Sequence, residues 1–319
     1  VTPRTSAGFL KFRPVRPGSR IALVAPASPF ARAESARGEL DAGAAELRRL
    51  GLDPVFDDRV LDRDVFAAGT PAARAAELQR WWTRADVDAI VAIRGGYGSV
   101  HVLPLLDLDE IRRTRTALVG YSDLTSVHGY LASQAIASVH GPMIDGRLAR
   151  GIVAYDEASF LTSLSAHALG EVAPDGLEAI HGGEARGVLC GGTLTQLLAS
   201  FGTPFEFRPP AGHVLFVDEV NERPFRLHRM LTQWRLAGRF AHASAVVFGQ
   251  LPGCDEPGGS VTARDVAGEC LRDFPGPVLW GFPSGHTRTP LVSLPFGVSA
   301  RVVAGGAPKL VLEEAAAEA

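Results

Sequence analysis

Three short apolar runs, Ile21 to Ala25, Val87 to Ile93 and Ala117 to Gly120, are separated by stretches of charged helix formers. Runs of this kind suit strands buried on both faces, and the intervening segments suit covering helices. The alternation predicts a parallel sheet wrapped by helices on both sides. Pro26 and Pro29 close the first run, Ala33 to Leu50 reads as a helix ending at Gly51, and Asp53 to Phe56 as a second strand. Pro71 to Trp82 reads as an amphipathic helix, with Pro71 tolerated in its first turn. The run Val87 to Ile93 leads directly into Arg94-Gly95-Gly96-Tyr97-Gly98-Ser99, and Tyr121 to Asp123 follows Ala117 to Gly120. Leu124 to Gln134 then reads as a helix. In open parallel sheets the loops at the strand carboxyl ends form the ligand crevice, so two Gly- and Ser-bearing loops fall at that edge.

The remaining chain is mixed. Residues 147–187 are weakly periodic around the turn Pro174-Asp175-Gly176, which suggests a crossing between domains. At 319 residues the chain is long enough for two α/β domains, expected at 1–165 and 187–319 with a linker over 166–186. Strands are expected at Val214 to Val217, Ala245 to Phe248 and Val278 to Trp280. Helices are expected at Thr193 to Phe201, Pro224 to Leu236 and Thr262 to Phe274. The Ala/Glu-rich tail after Glu313 is expected to be solvated or frayed.

Composition narrows the partners. A net charge of −3 gives no electrostatic reason to expect nucleic acid or an anionic membrane surface. No stretch reaches the roughly 18 apolar residues of a spanning helix, and Val1 to Arg20 has no apolar signal-like core. The chain begins at Val1 rather than Met, which leaves a removed leader open. Cys190, Cys254 and Cys270 are odd in number and lack C-x-x-C spacing, which favours a reduced compartment, the cytoplasm, over a disulfide framework.

Ser122 stands out for its chemistry. It follows a strand, lies in Gly120-Tyr121-Ser122-Asp123 and precedes a helix. A serine on a sharp strand-to-helix turn projects its hydroxyl from the sheet edge, and the N–H groups behind it can face an oxyanion. The G-x-S-x-G pattern is absent because position 124 is Leu, and taken alone Ser122 or Asp123 could simply cap the helix. A serine needs a base, and nine histidines are available. His286, in Gly285-His286-Thr287, follows a strand candidate within a Gly/Pro/Ser-rich loop. His140 is the runner-up, and His128 falls on the helix after Ser122, facing packing or solvent. A base in turn needs an orienting acid. Asp218 and Glu219 end the strand Val214 to Val217, and alternation lets only one of them point at the site.

The loop Arg94 to Ser99 lacks the P-loop lysine and the G-x-G-x-x-G spacing of a dinucleotide fold. Its glycines suit backbone N–H groups approaching a tetrahedral intermediate, with a plain tight turn as the simpler alternative. No Cys/His cluster or H-E-x-x-H pattern calls for a catalytic metal.

Several stretches, taken in order, resemble the LD-carboxypeptidase family, which includes muramoyl-tetrapeptide carboxypeptidases and microcin C immunity peptidases. They are Ala25-Pro26-Ala27-Ser28-Pro29, Ala68-Gly69-Thr70 with Arg74, Ala89 to Ser99, Gly120 to Thr125 and His140-Gly141-Pro142-Met143. Then follow Gly191-Gly192-Thr193-Leu194, Leu215 to Val220 with Arg229-Met230-Leu231, Gly285-His286 and Leu294-Pro295-Phe296-Gly297. The set covers nearly the whole chain. The resemblance implies an N-terminal flavodoxin-like parallel-sheet domain carrying the serine and a smaller C-terminal swivelling-type α/β domain carrying the acid and histidine. It implies a Ser–Glu–His triad in which Ser122 and His286 match directly. At the acid position the family usually has Glu first, whereas here the pair is Asp218-Glu219. Register assigns the role to Asp218, with Glu219 in reserve. Thr287-Arg288-Thr289 also departs from the small residues expected after the histidine.

The implied activity is hydrolysis of the amide between an L-centre and a terminal D-residue, with D-alanine released from murein tetrapeptide in cell-wall recycling. N–H groups at Gly95 or Gly96 and at Asp123 would form the oxyanion hole, with no metal or organic cofactor required. A homodimer is expected by the same resemblance. Within the family the alternative is a microcin C-like self-immunity peptidase cutting a peptidyl- or aminoacyl-nucleotide. Outside it, the alternative is a non-catalytic small-ligand-binding module, motivated by the Asp at the acid position and the altered loop after His286.

Overall fold

The computed structural model describes residues 8–318, so the first seven residues of the N-terminal stretch lie outside the described residues. The chain opens with β1 (Arg20–Val24), α1 (Ala36–Arg49), β2 (Asp53–Val55), α2 (Pro71–Trp82) and β3 (Ala89–Ala92). It continues through α3 (Leu108–Thr114), β4 (Ala117–Gly120), α4 (Thr125–Ser133), β5 (Ser138–His140) and α5 (Glu157–Leu164). The parallel strands lie in the order β5-β4-β3-β1-β2, the flavodoxin-like arrangement, which reverses direction between β1 and β3. The four residues of β3 and those of β4 are all buried, as continuous apolar runs require of strands covered on both faces. Thr70 caps α2 by accepting from the Ala73 N–H, and Pro71 fills a first-turn position that needs no donor.

The second sheet takes β6 (Gly170–Val172), β7 (Glu178–His181), β8 (Gly183–Thr193), α6 (Leu194–Ala199), β9 (His213–Asp218), α7 (Pro224–Leu236) and β10 (Ala243–Gly249). It is completed by α8 (Ala263–Cys270) and β11 (Val278–Phe282). The next strand, β12 (Leu294–Phe296), returns to the first sheet and pairs antiparallel with β5, and β13 (Ser299–Ala304) and β14 (Lys309–Leu312) rejoin the second. The order of this second sheet is β6-β14-β13-β8-β9-β10-β11-β7, eight strands against six in the first. Alternation along β9 joins two cores. Val214 and Phe216 pack into the core shared with the first sheet, while Leu215 and Val217 meet Leu227, Leu231 and Trp234 of α7.

Two expectations need correction. Residues 166–186, read as a linker, contain β6, β7 and the start of β8. These segments are short and half-exposed, so they carry little apolar period. The tail after Glu313 is not frayed. Ala316 and Ala317 are buried, Phe12 N–H donates to the Ala316 carbonyl, and Glu318 N–H donates to Phe12. Backbone pairing holds this tail, and composition does not report it.

Candidate active site

Two loops meet where the first sheet reverses direction. Arg74 of α2, almost fully buried, reaches the carbonyls of Pro26 after β1 and Gly98 after β3 at 2.5 and 2.7 Å, and that of Gly69 at 3.2 Å. Ser28 N–H donates to Gly95, and the Ser28 hydroxyl accepts from the Tyr97 N–H. The turn after β4 is tied to the same loop, because Asp123 accepts the Ser99 N–H at 2.7 Å and the Ser99 hydroxyl donates to the Asp123 carbonyl. The glycine loop and the serine turn therefore form one rigid rim.

Ser122 sits in that rim with φ +62°, a left-handed conformation that costs a non-glycine residue on the order of 1–3 kcal/mol. Gly95 packs directly beneath it: a Cβ there would stand 2.8 Å from Ser122 Cβ and 3.1 Å from both Ser122 Oγ and Asp123 N. Only a residue without a side chain fits this approach. Ser122 shares one open depression with Gly95, Gly96, Arg94, Tyr121 and His286, with Asp145 and Met143 on its wall. Arg94 pairs with Asp145 at 3.4 Å and donates to the Pro29 carbonyl at 2.9 Å.

His286 arrives from the loop between β11 and β12. Its Nδ1 stands 2.6 Å from Oδ2 of Asp218, and its backbone N–H donates to Oδ1 of the same carboxylate at 3.1 Å. Asp218 is completely buried at the end of β9, and Thr193 Oγ1 also donates to it at 3.4 Å. Gly285 makes this possible, since at its φ of +73° a Cβ would fall 2.5 Å from Asp218 Cγ. Burial works against a charged His286 ring, but the charge and hydrogen bond of Asp218 outweigh it, and the imidazole pKa lies above its ordinary 6.5. With Nδ1 committed to Asp218, Nε2 is the nitrogen left for chemistry.

Glu219 turns away. It accepts the Thr195 N–H and hydroxyl at 2.9 and 2.7 Å, and burial raises its pKa. His140, the other candidate base, is buried with Nδ1 at 3.1 Å from the Ser284 hydroxyl, and burial holds its pKa well below 6.5. His128 is buried under the serine turn between the Ser138 hydroxyl and the Gly120 carbonyl, its pKa pushed down to about 4 by burial. The residues after His286 are tied to Gln250, whose Oε1 accepts from the Thr287 hydroxyl and the Arg288 N–H.

One residue escaped the sequence reading. Arg147, in the turn after β5, spans from the Tyr121 hydroxyl to the carbonyls of Gly285 and Thr287. Nothing in its sequence neighbourhood marks it among 32 basic residues. Among the described residues, no group of three or more His, Cys, Asp or Glu side chains is arranged to hold a metal ion.

The depression lies where loops of both sheets meet. The LD-carboxypeptidase N-terminal domain model matches residues 21–141, and the C-terminal domain model matches 186–302. A putative carboxypeptidase of Streptomyces coelicolor is 36% identical over 301 residues, covering 91% of this chain and 93% of that protein. The murein tetrapeptide carboxypeptidase of Pseudomonas aeruginosa is 28% identical over 274 residues, covering 84% and 88%. Among solved structures, MccF in complex with glutamyl sulfamoyl guanosine superposes with a TM-score of 0.85 at 22% identity, covering 96% of this chain and 99% of that one. Muramoyltetrapeptide carboxypeptidase from Oxalobacter formigenes gives 0.80 at 24% identity, covering 93% and 100%. The chain belongs to the LD-carboxypeptidase family and is a carboxypeptidase. No helix among the described residues is long and apolar enough to cross a membrane.

Proposed function

We propose that this carboxypeptidase uses Ser122 as nucleophile, His286 as general base and Asp218 as the acid that orients it. The observation that carries this reading is a strained serine sharing one depression with an imidazole whose far nitrogen is held by a buried carboxylate. His286 Nε2 takes the Ser122 proton as Oγ bonds to the amide carbonyl carbon. N–H groups at Gly95 or Gly96 and at Asp123 receive the oxyanion. The C–N bond then breaks as His286 returns the proton to the leaving amine. Water, deprotonated by the same imidazole, displaces the acyl group and restores the Ser122 hydroxyl.

For substrate we propose a murein tetrapeptide that loses its terminal D-alanine, consistent with the Pseudomonas relative named for that peptide. The second reading is an aminoacyl-sulfamoyl nucleotide, favoured by the fold match to MccF, whose solved complexes hold such compounds. We further propose a homodimer and, from three buried free thiols, a reducing cytoplasmic setting.

The test compares D-alanine release from murein tetrapeptide with cleavage of a glutamyl sulfamoyl nucleotide, in wild type and S122A. Faster turnover of the tetrapeptide, lost in S122A at an unchanged Tm, is the expected result. Full turnover by S122A would remove the mechanism, and preference for the nucleotide would move the substrate to the second reading.

A further inference from the structure

The loop bearing His286 runs from one sheet to the other, and a side chain of the first lobe hydrogen-bonds to it. Arg147 is 9% exposed and leaves the turn after β5 pointing into the seam between the lobes. Its Nη2 donates to the Gly285 carbonyl at 3.1 Å and to the Thr287 carbonyl at 3.2 Å, those of the residues before and after His286. Nη1 donates to the Ala154 carbonyl at 3.0 Å, and Nε to the Tyr121 hydroxyl at 3.3 Å. The guanidinium also lies 5.8 Å from the centre of the Tyr121 ring, and that ring meets the His286 imidazole edge-on at 5.2 Å. Tyr121 is the residue before the nucleophile.

We propose that Arg147 is a positioning residue for the catalytic imidazole, gripping both carbonyls that flank His286 while anchored beside Ser122. The inference rests on the assignment of Ser122 and His286 given above. A planar guanidinium suits the task because its donors are fixed in a fork, whereas a lysine offers one point charge on a flexible stem. The four acceptors named here are neutral oxygens, so the positive charge is not cancelled at its contacts. It opposes protonation of His286, against the pull of Asp218 and Glu219 from the end of β9. Neutral His140 of β5 and Tyr121 also adjoin that ring, and the paired Arg94 and Asp145 line the same depression.

Kinetics of wild type, S122A, R147K and R147M on the substrate that wild type turns over, measured across pH, test this role. R147K should lower kcat about 10- to 100-fold with KM within about twofold, because small misplacement of a reacting group is costly while substrate contacts remain. R147M should lose kcat similarly, and the acid limb of its kcat/KM profile should move to higher pH, since a charge opposing the imidazolium is gone. R147K should leave that limb in place. Wild-type kcat in R147K overturns the proposal whether or not R147M folds, as does an R147M that shows a lower Tm with kcat and acid limb unmoved. Retained turnover in S122A would instead sink the catalytic assignment itself, so the two failures are distinguishable.

Discussion

Asp218 and His286 form a two-point contact: one carboxylate oxygen meets Nδ1 of the ring at 2.6 Å and the other takes the N–H of the same residue at 3.1 Å. One carboxylate thus contacts both the ring and the backbone of the histidine. D218N should therefore reduce kcat by about 10⁴-fold, the scale seen when a triad acid is made neutral. E219Q should leave kcat within a few-fold and instead lower stability by about 1–3 kcal/mol, because Glu219 satisfies buried donors of Thr195. Parallel kinetics and denaturant unfolding of the two variants check this, and the reverse ranking would transfer the acid role to Glu219.

The raised pKa of His286 gives a signed pH dependence. General-base activity needs the neutral ring, so kcat/KM should climb on an acid limb above the ordinary 6.5. Stability from the Asp218–imidazolium pair runs the other way. It is complete below the unfolded value and lost as pH rises through the higher folded value. In D218N the residual acid limb should move downward, because burial is then opposed by much less. A pH–rate profile of both proteins is the measurement.

Backbone strain at Ser122 separates function from stability. S122A keeps a Cβ at φ +62°, whereas S122G removes the steric penalty. Both variants should lack turnover, and S122G should be the more stable by about 1 kcal/mol. Equal melting temperatures would show that the turn is unstrained.

Gly95 packs tightly under Ser122. G95A places a methyl 3.1 Å from Ser122 Oγ and Asp123 N, so the serine must shift. We expect kcat to fall about 100-fold with folding cooperativity retained. An alanine accepted at full activity would exclude the Gly95 backbone from the oxyanion site.

Much of the first lobe is legible in the sequence because its strands are fully buried and its helices begin with recognisable chemistry. Pro71–Trp82 and Ala117–Gly120 fall where the apolar runs place them. Ser122 and His286 stand out as candidates for a different reason: each follows a strand, in a loop where glycine permits close approach. Alternation lets only one of Asp218 and Glu219 face the site, register with the family pattern selects Asp218, and the two carboxylates do meet different partners. What pattern could not supply was long-range pairing. The sequence Leu294-Pro295-Phe296 says nothing of which sheet it will join, and three residues are too few to show a period. The docked tail is held through peptide groups, which every residue carries. Arg147 was invisible because its contacts reach carbonyls 138 and 140 positions away.

The excursion from β11 to β12 has a consequence for assembly. The strand before His286 belongs to one sheet and the strand after it to the other, so the chain between them is a strap stretched across the seam. Neither half, folded separately, can put the imidazole in register with the hydroxyl. During refolding, peptide cleavage should return only after the two layers have locked together, later than circular dichroism or tryptophan fluorescence recovers. A nascent or half-assembled chain would thus be chemically silent towards the peptides around it.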